Sequence, residues 1–177
     1  MNEKTTVRAF PAPQQLATPT DLSSEEVQKV TEAINPLVAD AFALYVKTKN
    51  FHWHLSGARF RDLHLLFDEH AEAIFESIDL LAERVRKIGG TTIRSISHIS
   101  GLQTISDDND EFVAPDAMVL RLMEDNRHYA ELQRQAHAVC DAAGDVATTS
   151  FLEDIIDQTE RRVWFLYEIL QDTDRFE

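Results

Sequence analysis

From Ser23 onward the chain alternates between long stretches in which apolar residues return every three or four positions and short breaks carrying Gly, Pro or Ser. That period marks amphipathic helices. The second stretch, about 60–88, is the most regular, with Leu63, Phe67, His70, Ile74, Ile78, Leu81, Val85 and Ile88 on one stripe. The first runs from Ser23 to about Leu55. Glu25 and Glu26 follow its opening serines, as acids do at a helix N-terminus, and Ile34, Val38, Phe42, Tyr45 and His52 share a face. Pro36 lies inside it and predicts a kink near 32–36, because proline removes a backbone donor and crowds the carbonyl four residues back. Ser56-Gly57 ends the first helix and Gly89-Gly90 the second. Pro115-Asp116 opens a third, with Met118, Leu122, Tyr129, Leu132, Ala136 and Val139 on its stripe, closed by Gly144. A fourth, about 146–171, carries Leu152, Ile156, Val163, Leu166 and Leu170. The connection between the second and third holds Ile93, Ile96, Ile99, Leu102 and Ile105 and then Asp107-Asp108-Asn109-Asp110. So long a connection predicts a short helix within it.

The expected organisation is therefore a mobile tail over 1–22, where Pro11, Pro13 and Pro19 interrupt a segment without periodicity, one all-α domain over 23–172, and a short tail at 173–177. Composition agrees: 177 residues with 44% apolar content suit one core, and five Gly and five Pro are few for a turn-rich β fold. A net charge of −14 with a pI near 4.8 favours metal ions or cationic partners over nucleic acid. No apolar run approaches the roughly 20 residues of a membrane span, and no basic-then-apolar leader is visible, so a cytoplasmic protein is expected. Cys140, the single cysteine, cannot form an intrachain disulfide and reads as a buried, inert thiol.

With seven histidines and 31 acids, only spacing separates a site from coincidence. His64 and Asp68 are four apart on the second helix, as are Asp79 and Glu83, so each pair shares a face about 6 Å apart along the axis and can hold a metal ion. Eleven residues separate Asp68 from Asp79, which returns to within about 20° of the same azimuth but places them ~16 Å apart along the helix. One chain cannot close a site with these four residues. Two copies of the helix packed antiparallel about a two-fold axis can: 64 with 83 and 68 with 79 share the sum 147, so both pairings occur together, twice per dimer. Ala71, Glu72, Ala73, Ile74, Phe75 and Glu76 then lie near the axis, with the alanines permitting close approach. His52, at the end of the first helix, is placed to add a nitrogen ligand. Two imidazoles and three carboxylates suit Fe(II), Mn(II) or Zn(II) better than Mg or Ca, and redox iron is the reading adopted. No histidine has a Glu three residues before it, so a carboxylate centre inside one bundle is not expected. Asp125-x-x-His128, the nearest approach, reads as a surface pair.

The stretch from Lys47 to His64, Lys-Thr-Lys-Asn-Phe-His-Trp-His-Leu-Ser-Gly-Ala-Arg-Phe-Arg-Asp-Leu-His, continued by Leu-Leu-Phe-Asp68 and then Asp79-Leu-Leu-Ala-Glu83-Arg through Gly90, resembles the signature of the Dps family, the starvation-induced DNA-protection mini-ferritins. The motif covers 47–90, and the helix outline extends the resemblance over about 23–172. It implies a ferritin-like four-helix bundle with a long crossover between its second and third helices. It also implies a hollow homododecamer that oxidises iron at two-fold interfaces, usually with hydrogen peroxide, and stores ferric mineral against oxidative damage. On this resemblance His52, His64 and Asp68 come from one subunit and Asp79 and Glu83 from its mate, with zinc a possible substitute for iron. Lys49 and Trp53 match positions beside the family's site; Trp53 either limits radical damage or is an interface aromatic. His54 is outside the family's ligand set and reads as a hydrogen-bonded interface residue, with an auxiliary ligand the alternative, and His70 reads as a satisfied core histidine. Asp141, Asp145, Glu153 and Asp154 flank the last turn, which in this family often borders a three-fold pore; they either attract Fe(II) or belong to a solvated turn, where Asp145 supports the fourth helix. DNA compaction, common in the family through basic tails, is the alternative function. Here Lys4 and Arg8 stand against Glu3 on an acidic body, and weak or absent DNA binding is expected.

Overall fold

The structure is a computed structural model and describes residues 13–171. Helix α1 spans Ser24–His54, α2 Phe60–Lys87, α3 Ile96–Leu102, α4 Pro115–Ala142 and α5 Val146–Gln171. Among the described residues there is no strand. Ser23 caps α1 in a reciprocal box: its hydroxyl accepts from the Glu26 amide at 3.3 Å, and the Glu26 carboxylate accepts from the Ser23 amide at 2.7 Å. The helix runs on past Pro36 without a break. The short α3 is the helix expected inside the crossover, and the hydroxyl of Ser95 caps it.

α1 packs along α2 and α4 along α5; α1 against α4 and α2 against α5 close a four-helix bundle, with α3 laid on α1. The apolar stripe of α2 is buried from Leu63 to Ile88, in one core with Ile34, Leu37, Leu44 and Phe51 of α1 and Met118, Leu122 and Tyr129 of α4. Cys140 is fully buried and its thiol is pushed up to about 12 by burial, as an inert core position should be.

Three expectations change. On α5 the inward face is Leu152, Ile155, Thr159, Arg162 and Leu166, so Ile156 and Val163 sit half-buried at its edge. The bundle is polar there: Arg162 donates to the Asn126 amide oxygen and to the Thr159 hydroxyl, both at 2.8 Å, and burial lowers its pKa to about 10. Val139 on α4 is likewise exposed, and Cys140 takes the inward place. Asp125 is no surface residue: burial raises its carboxyl, and it accepts a 2.7 Å bond from the buried Lys47.

The third change concerns the N-terminal segment. Residues 13–22, expected to be mobile, run along the C-terminal end of α2, where Arg86 donates to the Leu16 carbonyl at 2.9 Å and the Thr18 hydroxyl donates to the Arg86 carbonyl at 3.0 Å. Gly89 makes the approach possible. Its φ is +88°, and a Cβ there would lie 2.9 Å from the Thr18 carbonyl oxygen. Gly89→Ala is expected to cost about 1–2 kcal/mol, read as a thermal midpoint a few degrees lower. Residues 1–12 and 172–177, which hold the rest of that tail and the expected C-terminal tail, lie outside the described residues.

Candidate metal centre

The sharp connection between α1 and α2 brings His52 and His64 face to face, their rings stacked at 3.7 Å between centroids and 17° between planes. Each ring bonds the other residue's backbone: His52 Nδ1 lies 2.8 Å from the His64 carbonyl and His64 Nδ1 3.0 Å from the His52 carbonyl. A carbonyl only accepts, so both Nδ1 atoms carry a proton, and it is Nε2 that holds the lone pair of the neutral ring. This is the orientation in which a neutral histidine binds metal, with the other ring nitrogen anchored in a second shell of bonds. Phe60, one turn before His64, stacks on its outer side at 4.9 Å. Its role was not read from the sequence, although the four-residue spacing to His64 was available as a signal.

Asp68 lies one turn further along α2, its Oδ1 3.9 Å from His52 Nε2 and 2.5 Å from Lys49 Nζ. The Lys49 hydrogen bond, followed by the charge of Lys49 and the nearby histidines, holds its carboxyl below the usual range. His52, His64, Asp68 and Lys49 thus form one cluster at the junction of α1 and α2.

Asp79 and Glu83 are not brought to it. Both are exposed on the far half of α2, where Glu83 pairs with Lys87 at 3.0 Å and Asp79 has no partner among the described residues. Accordingly, no group of three or more His, Cys, Asp or Glu side chains in one chain is placed to hold a metal ion, among the described residues. The bundle interior offers no substitute. Arg162 occupies it without a carboxylate partner among the described residues, and His70 beside it is lowered to about 3 by burial and then by Arg162 and Arg161. His70 is a core histidine as expected, but its Nδ1 has no partner, so it is not the satisfied one.

The middle of α2 is also different from expectation. Ala71 and Ile74 are buried, so of the two alanines only the half-buried Ala73 reaches the surface; the exposed residues are Glu72, Phe75 and Glu76. Trp53 is 64% exposed, and His54 folds back on the Asn50 carbonyl at 2.9 Å. At the last turn Asp145 is buried, accepting from the Thr148 amide and from Arg84 at 2.6 Å; these bonds hold its carboxyl low although burial acts to raise it. It caps α5, whereas Asp141, Glu153 and Asp154 are exposed.

Residues 31–176 match the model of the ferritin-like domain family. The chain is 34% identical over 144 residues to the DNA protection during starvation protein of Brevibacillus brevis, covering 81% of this chain and 96% of that one. Its structure is similar to that of DpsC from Streptomyces coelicolor, with a TM-score of 0.87, 29% identity, and coverage of 97% and 99%. It is also similar to a Dps protein from Vibrio cholerae, described as a member of a broad superfamily of ferritin-like diiron-carboxylate proteins, with a TM-score of 0.82, 27% identity, and coverage of 87% and 97%. The chain therefore belongs to the ferritin-like domain family and, within it, to the Dps proteins.

Proposed function

We propose that the protein is an iron-oxidising and iron-storing shell in which Fe(II), the substrate, binds between subunits. His52, His64 and Asp68 supply one half of each site, and the partner subunit's Asp79 and Glu83 the other. The observation that carries this reading is the reciprocal histidine clasp, which sets His52 Nε2 3.9 Å from Asp68 while no three His, Cys, Asp or Glu side chains of one chain are placed to hold a metal among the described residues. Antiparallel pairing of two α2 helices, residue i against 147 − i, completes both sites at once. The kinship with a protein described as diiron-carboxylate supports iron as the metal.

The donors fit Fe(II) and equally Zn(II), which is expected to occupy the site as a redox-inert competitor. In the reaction two Fe(II) ions each lose one electron, and hydrogen peroxide takes both as its O–O bond breaks, giving two Fe(III) and two hydroxide ions. The chain's part is to hold iron through imidazole and carboxylate and to collect ferric product in a closed homododecamer in the cytoplasm. The protein's acidic surface raises the local concentration of Fe(II). Addition of Fe(II) and peroxide to the purified assembly, followed by ferric absorbance and bound iron, tests this. An assembly that takes up no iron and leaves the buffer rate unchanged has a purely structural role.

Protection of DNA is expected to follow from removing Fe(II) and peroxide, without compaction. With a net charge of −14 the shell repels phosphate, and residues 1–12 contribute only Lys4 and Arg8. In a mobility-shift assay at about 150 mM salt, plasmid is expected to run unretarded. Retarded plasmid under those conditions assigns compaction to the protein.

A further inference from the structure

Lys49 holds the oxygen that an incoming metal needs. Its ammonium sits 2.5 Å from Asp68 Oδ1, the same oxygen that faces His52 Nε2 across 3.9 Å. A metal placed between His52 Nε2 and Oδ1, with bonds of about 2.1 Å, would draw on the lone pairs of Oδ1, and an ammonium left there would face a dication at close range. The ammonium has somewhere to go. Lys49 also borders a groove of about 280 Å³ between α1 and α2, lined by Tyr45, Ala71, Glu72, Phe75 and Glu76. The Tyr45 and Phe75 rings, 5.1 Å apart, form its wall. Glu72 and Glu76 have no hydrogen-bond or ion-pair partner among the described residues. Glu72 lies one turn from Asp68, about 6 Å along the axis, within the sweep of a lysine stem.

We propose that Lys49 is an internal cation that stands in for the metal: it pairs with Asp68 when the site is empty and is displaced into the Glu72–Glu76 groove when a divalent ion binds. The exchange swaps one cation for another on the Asp68 carboxylate. The pair keeps Asp68 pointed at His52, and it sets a threshold that weakly bound cations do not cross. This deepens the site assignment above and rests on it.

The test uses the assembled protein and Co(II) as a redox-inert probe, titrated by calorimetry. Lys49→Met is expected to bind Co(II) roughly tenfold more tightly than the parent, because the competitor is gone. Lys49→Arg keeps a cation on Asp68 and should stay close to the parent. Glu72→Gln with Glu76→Gln should weaken binding severalfold when Lys49 is present. In the Lys49→Met background the same pair should have little effect, since there is no ammonium left to receive. A crystal loaded with Co(II) should show Nζ moved from Asp68 towards Glu72 or Glu76. Equal or weaker binding by Lys49→Met, or an ammonium still on Asp68 beside bound Co(II), overturns the proposal and makes Lys49 a fixed orienter. Should Lys49→Met fail to assemble, the Glu72 and Glu76 variants and the loaded crystal decide alone. If the parent takes up Co(II) in a way that His64→Ala with Asp68→Ala does not abolish, the site assignment itself falls.

Discussion

Replacing His64 and Asp68 together by alanine is expected to lower the initial rate of ferrous-iron oxidation by on the order of 100-fold, with the shell still assembled. The double variant removes one of two imidazole lone pairs and the only carboxylate in the cluster, leaving His52 with no second donor from its own chain. Both side chains are partly exposed, so folding should survive the change. Asp79→Ala with Glu83→Ala is expected to do the same from the other end of α2, although these residues are far from the clasp in one protomer. The shared geometry predicts a sharper result. Co-assembling the two inactive variants in equal amounts makes mixed dimers in which one site holds every intact ligand and the other only His52. Random pairing then restores about one quarter of the parental sites. Stopped-flow ferric absorbance reads this directly. No recovery on co-assembly, or a parental rate from either double variant, sinks the shared site.

The helices were legible because their signals are local. The capping box at Ser23, the paired glycines after α2, Pro115 at the start of α4 and the three-four stripe of α2 all lie within a few residues of what they specify. Helical arithmetic likewise pairs Asp68 with Asp79 and His64 with Glu83 in the proposed site. Contacts between distant segments were harder. Docking of residues 13–22 depends on Arg86 and on the bare backbone of Gly89, some 70 residues away, and the segment itself shows only prolines. The inward face of α5 was misplaced because its central members, Thr159 and Arg162, are polar, and a search for apolar spacing moves to Ile156 and Val163 instead. The chemical state of the histidines was also out of reach. Spacing places a ring near a metal, but only the turn between α1 and α2 shows that each ring spends its Nδ1 proton on the other's backbone.

Asp40→Ala is expected to lower stability by about 3–4 kcal/mol. Asp40 is fully buried in α1, and its carboxylate accepts from the Thr104 amide at 2.6 Å, the Thr104 hydroxyl at 2.9 Å and the Ile105 amide at 2.9 Å. Two effects oppose each other. Removing a buried carboxylate relieves its desolvation, which by itself favours the variant. Against that, three donors lose their acceptor, and the Ile105 amide belongs to a residue 2% exposed, where water cannot readily replace the bond. Charge-assisted bonds of about 1.5–3 kcal/mol each, lost together, outweigh the relief. For a chain of this size the thermal midpoint should fall by roughly 10 °C. Asp40→Asn, which keeps one oxygen but turns a donor towards the crossover, should fall between the two. Because the crossover also grips α1 where Asn50 donates to the Asp108 carbonyl, amide exchange in Asn50 to His54 should quicken in Asp40→Ala. An unchanged midpoint would show that the crossover is held by its apolar residues, Ile99, Ile105 and Val113, and that the carboxylate contributes nothing beyond filling space.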